Sequence, residues 1–143
     1  MGRYVIERVQ GWEGRLAAEI ERSLPLEFDW HSNDCCSFAA RCVLAVSGVD
    51  LFSMFRGAYA GSRTAQRALR AHGGLLGICD ALLGDRHAPL SARRGDVVLV
   101  RMRGQGQDLQ ALAVCNGRYA WLPGVHGLVR RPQGDWLATW MVG

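Results

Sequence analysis

Phe28-Asp29-Trp30-His31-Ser32-Asn33-Asp34-Cys35-Cys36-Ser37-Phe38 is the stretch on which the reading of this chain turns. Its first half is aromatic and irregular. Its second half opens a helix, because Asn33 or Asp34 can cap one by accepting backbone N–H bonds. Cys35, Phe38, Ala39, Cys42 and Val46 then recur at the i, i+3, i+4, i+7, i+11 spacing of one buried helix face, and Gly48 ends the run. Cys35 therefore falls in a first helical turn. Unpaired N–H groups and the positive end of the helix dipole favour thiolate over thiol there, which arms a nucleophile. The Asp34 carboxylate would oppose this if it faced the sulfur. As a cap it is occupied by backbone amides instead.

Upstream, Val5, Val9, Trp12, Leu16 and Ile20 predict a helix over 5–22, firmer in its second half because Gly11 and Gly14 interrupt the first. Ser23-Leu24-Pro25 stops it. Downstream, helices are predicted over 63–71, closed by Gly73-Gly74, and over 75–83, closed by Gly84. After Ala88 the pattern changes. Strands are predicted over 97–100, after a Gly95-Asp96 turn, and over 109–115; Asn116-Gly117 reads as a two-residue hairpin leading to a strand at 119–121. Two more are expected over 127–130 and 136–142. Helices followed by a strand meander are an α+β signature. A length of 143 residues with 49% apolar content makes one domain, 1–143, with a core of its own.

The order of these signals resembles a known family. The run around Cys35 resembles the Asp-Cys-x-x-Phe nucleophile motif of the NlpC-type cell-wall peptidases, which have a papain-like plan. Arg93-Arg94-Gly95-Asp96-Val97-Val98-Leu99-Val100 resembles their Pro-Gly-Asp-Leu-Val strand, and Leu112-Ala113-Val114-Cys115-Asn116-Gly117 resembles their next strand, His-Val-Gly-Ile-Tyr-x-Gly. The match spans residues 28–142. It implies N-terminal helices packed on a C-terminal antiparallel meander, with Cys35 as the nucleophile. The wider pattern also resembles small proteins encoded among the tail genes of tailed phages and prophages. That resemblance implies a virion component made in the host cytoplasm, placed beside the baseplate hub and central fibre proteins, or a relative of a muralytic protein acting on peptidoglycan.

One departure matters. A cysteine peptidase needs an imidazole to accept the thiol proton and later protonate the leaving amine. In the family that histidine opens the second strand; alignment on Gly117 places Ala111 there, between Gln110 and Leu112. Between His87 and His126 the sequence holds no histidine. His126, at the start of a later strand, and His31, four residues before Cys35, are the substitutes to test. His72 and His87 read as solvent-facing. Gln110 can donate a hydrogen bond, as an oxyanion-hole residue does, but cannot act as a base near neutral pH. Cys36, about 100° around the helix from Cys35, is expected to pack in the core outside that pocket.

Composition narrows the remaining classes. All seventeen basic residues are arginine and the net charge is +4. The arginines are dispersed along the chain, which does not favour nucleic acid as a partner. No signal peptide and no membrane span is expected. Five cysteines without C-x-x-C spacing argue against a disulfide framework and a zinc ribbon. No cofactor is expected; a metal or iron–sulfur carrier using Cys35, Cys42, Cys79 or Cys115 is the third reading. Trp30 and Trp140 are expected in the core, Trp121 and Trp136 at an interface. The apolar loop 52–59 reads as a docking surface or a buried loop, depending on where Phe52 and Phe55 point. Three functions thus stand: a structural tail protein with a decayed site, an active cysteine amidase or endopeptidase, and a metal carrier.

Overall fold

A glycine sets the start of the first helix. Gly11 takes a left-handed conformation (φ 77°), so α1 runs over Trp12–Ser23 rather than from residue 5. Residues 6–9 before it have no regular secondary structure, and Val9 N–H is bonded to the Val46 carbonyl at 2.9 Å. The computed structural model describes residues 6–30, 32–50, 73–104 and 107–143, without the side chains of 103–108. The helix expected over 63–71, the loop 52–59, His31 and His72 lie outside the described residues.

The second helix, α2 (Cys35–Ser47), forms as its stripe predicts. Asp34 is the cap, accepting from Ser37 N–H at 2.8 Å, and Gly48 closes the helix in the left-handed region. Phe38, Ala39, Cys42, Val43 and Val46 are fully buried. Arg15 of α1 reaches across to the end of α2, where its Nε donates to the Ala45 carbonyl at 2.6 Å. Cations at that end complement the helix dipole. The next helix among the described residues, α3 (Gly74–Leu83), buries Leu75, Ile78, Cys79 and Leu82.

The strands are β1 (Arg86–His87), β2 (Val97–Gly104), β3 (Gln107–Asn116), β4 (Tyr119–Gly124), β5 (Gly127–Pro132) and β6 (Trp136–Trp140). They form an antiparallel sheet in the order β1-β6-β2-β3-β4-β5. The architecture is α+β, with helices first and strands after. Two-residue β1 carries no periodicity, which is why the sequence does not announce it. Among the described residues no helix is long and apolar enough to cross a membrane.

Alternation along the strands gives the sheet two buried faces. Val97, Leu99, Leu112, Val114, Ala138 and Trp140 lie under the helices. Val98, Val100, Ala113, Cys115, Ala120 and Leu122 form the other cluster, together with Trp136. Trp136 corrects its expected place at an interface: it is only 5% exposed. It pairs with Val100 of β2, and its Nε1 donates to the Arg131 carbonyl of β5 at 3.1 Å. The sheet therefore curls until β6 meets β5, with the indole between them. Alanine and cysteine on the inner face leave it room.

The hairpin between β3 and β4 also differs from expectation by one residue. Asn116 pairs with Tyr119, so the turn residues are Gly117 and Arg118. Only Gly117 has positive φ, at 83°, which suits glycine in the first turn position of a type II′ hairpin. Asn116 remains in the strand and accepts from Arg94 Nε at 2.8 Å. The β3–β4 ladder is short, ending at Val114↔Trp121. Extending that register would bring Pro123 opposite Leu112, and proline has no N–H to donate. From there β4 follows β5, and a gap opens beside the first half of β3.

One edge of this gap is closed by the segment after α1. Leu128 N–H bonds to the Leu24 carbonyl at 3.0 Å, and Phe28 N–H to the Gly124 carbonyl at 2.9 Å. Gly127 permits the contact, since at φ 126° a Cβ would collide with the Leu24 carbonyl oxygen. Gly127→Ala is expected to cost about 1–3 kcal/mol in urea unfolding, from backbone strain and the displaced segment together. A loss below about 0.5 kcal/mol, the level of an indifferent surface site, would mean that the segment is not seated there.

A partly buried cysteine in an apolar cavity

Cys35 occupies the first turn of α2, where the helix meets the gap beside β3. A cavity of about 290 Å³ lies there, with Asp34, Cys35, Cys36 and Gln110 as its polar lining and Phe28, Trp30, Leu75, Met102, Leu109 and Leu122 among its apolar lining. The aromatic wall is held by the irregular segment before the helix. Asp29 and Asn33 exchange backbone hydrogen bonds. The buried Asn33 side chain donates to the Glu27 carbonyl at 2.9 Å and accepts from Arg41 at 2.6 Å. Asn33 thus shapes this loop while Asp34 does the capping. Phe28 and Trp30 meet edge to face at 4.9 Å between centroids. Trp30, expected in the core, is 39% exposed because it walls an open cavity.

The thiol of Cys35 is held below its ordinary value. The largest cause is a hydrogen bond from the Cys36 side chain, with further bonds from the Leu112 and Cys36 backbones; burial and the Asp34 charge act against them. Here Cys36 departs from its expected role. It is buried in the core, yet it also lines the cavity with Cys35. The angular separation that holds mid-helix does not keep two thiols apart where the cavity wraps around the helix end. Cys42 and Cys79 are buried and their thiols are pushed up by desolvation; burial also raises Cys115. Among the described residues no group of three His, Cys, Asp or Glu side chains is placed to hold a metal ion.

The residue that β3 presents to Cys35 is decided by alternation. Leu112 and Val114 face the helices, whereas Ala111 packs with Ala113 and Cys115 on the inner face. Gln110 shares the parity of Leu112, so it lies on the α2 side of the strand. Ala111, the residue aligned with the family histidine, also lines the cavity but from the opposite face. His126 sits in the turn between β4 and β5, exposed to solvent, and is not part of the cavity lining. His87 is exposed in β1. The sequence singled out Cys35, Asp34 and Gln110, and these three come together. It missed the Cys36 thiol, the Leu112 backbone and Pro123. Proline inside a strand pattern was the available signal, because it marks where a ladder stops.

This arrangement predicts an order of reactivity. Iodoacetamide applied to the native protein is expected to label Cys35 first and to leave Cys42 and Cys79 unlabelled. The rate at Cys35 should follow a titration centred below the ordinary thiol value of 9.0, because the folded environment favours its thiolate. A midpoint at or above that value would contradict the hydrogen-bonding described.

Fold and site define an α+β protein whose partly buried cysteine, at a capped helix N-terminus, faces an antiparallel sheet. Over residues 7–142 the chain matches, and belongs to, the DUF6950 family, described as a domain of unknown function. No curated protein and no solved structure matches it.

Proposed function

We propose that this protein is a structural subunit of a phage tail tip or baseplate hub, built on an NlpC-type papain-like plan whose peptidase site has decayed. The observation that carries the decay is the amide of Gln110 on the α2 side of β3, in the cavity with Cys35. An amide cannot take the thiol proton or return it to a leaving amine. The tail position rests on the sequence resemblance, and its partners would be the baseplate hub and central fibre proteins. The experiment is genetic, in the phage or prophage that carries the gene. Cys35→Ala is expected to leave particle assembly and wall digestion unchanged, whereas deleting the gene stops tail formation. Normal tails after deletion would refute the structural reading.

A second reading is favoured by the lowered thiol of Cys35: a cysteine amidase or endopeptidase that cuts cell-wall peptides during genome delivery. Cys35 would be the nucleophile, amides at the start of α2 would hold the oxyanion, and His126 or His31 would have to supply the base. In that case Cys35→Ala abolishes digestion of purified peptidoglycan while particles still assemble. The same variant therefore separates the two readings.

A further inference from the structure

We propose that Cys35 accepts acyl groups delivered as thioesters, with the cavity beside it holding an aliphatic acyl chain. This inference goes beyond the tail-subunit reading and does not depend on it. The choice of leaving group follows from the groups around the sulfur. Expelling an amine requires a proton donor such as imidazolium. Among the described residues lining the cavity there is no histidine. A thiolate, by contrast, departs without being protonated. In the step itself the Cys35 sulfur attacks the thioester carbonyl and a new C–S bond forms. The original acyl C–S bond breaks, and the leaving thiolate equilibrates with solvent protons. No oxidant or reductant is needed.

The choice of acyl group follows from the walls. Phe28, Leu75, Met102 and Leu122 give an apolar lining, and Trp30 and Leu109, 39% and 50% exposed, stand at its rim. Such a space rewards buried methylenes and offers little to a polar chain. Gln110 adds a side-chain amide in the same cavity, able to donate to the thioester carbonyl oxygen. Cys36, beside the sulfur in the same cavity, favours its reactive form before acylation by hydrogen-bonding the charge.

The test uses the whole chain with the octanoyl and acetyl thioesters of N-acetylcysteamine, followed by intact mass and peptide mapping. The expected result is a single acyl adduct on Cys35, formed about tenfold or more faster from octanoyl than from acetyl, since each buried methylene adds to binding. Cys35→Ser should remove the adduct. Leu109→Asp, at an exposed rim position, should slow octanoyl transfer by a larger factor than acetyl transfer, lowering the ratio of the two rates. Equal rates for the two chains, or an adduct that persists in Cys35→Ser, would overturn the proposal. The chain-length comparison on the unmodified protein decides the matter even if a variant misfolds.

Discussion

Asp96→Ala is expected to remove about 3–5 kcal/mol of folding free energy, the range for breaking a buried ion pair from one side. Asp96 is fully buried. One of its carboxylate oxygens accepts from Arg8 at 3.0 Å and from Val142 N–H at 3.0 Å; the other accepts from Arg93 N–H at 2.8 Å. Arg8 is committed to the same place, donating to the Val142 carbonyl at 2.9 Å and to the Arg94 carbonyl at 2.6 Å. Its guanidinium also lies 4.1 Å from the Trp12 ring centroid. Removing the carboxylate leaves a mostly buried cation without its counter-charge and the Val142 and Arg93 amides without their acceptor. Urea unfolding, with Asp96→Asn as the isosteric comparison, measures the effect. A loss of about 1 kcal/mol or less, as for a solvent-exposed pair, would contradict the buried clamp.

Trp140→Ala should destabilise by a similar amount, about 3–5 kcal/mol, from lost burial and the cavity left behind. Trp140 is fully buried on the helix side of the sheet, and its Nε1 donates to Asp80 of α3 at 3.0 Å. Asp80 is also held by Arg86 at 2.6 Å. The indole thus joins β6 to α3 by packing and by one directed bond. Trp140→Phe keeps most of the packing and should cost less, about 1–2 kcal/mol for the lost hydrogen bond. If phenylalanine proved as damaging as alanine, the bond rather than the burial would be the main contribution.

Much of this was legible because one physical cause dominated each segment. The stripe from Cys35 to Val46 has no reading other than one buried helix face, and the strand after Gly95-Asp96 is too apolar to lie anywhere but inside. Where two causes competed, local pattern misled. Helical spacing continued through Val5 and Val9, but the left-handed Gly11 broke the helix and freed Val9 to bond α2. Trp136 and Trp30 exchanged their expected places, since curling of the sheet buries the first while the second walls the cavity. Curling and cavity walls are long-range properties that no window of sequence contains. At the site, the sequence yielded the nucleophile position and its cap. The neighbouring Cys36 thiol and the parity that selects Gln110 over Ala111 required the folded chain.

The clamp at Asp96 has a mechanical consequence. Arg8 and Val142 come from opposite ends of the chain, yet both are tied to one carboxylate. Tension applied between those two ends is not passed along the sheet strand by strand. It loads the bonds between Arg8, Val142 and Asp96 in parallel, and they resist until they fail together. The ladders of β2 with β3 and β4 with β5 lie outside that line of force. A neighbour that pulled on either end would therefore meet a stiff joint first, and the fold behind it would yield only after the joint had let go.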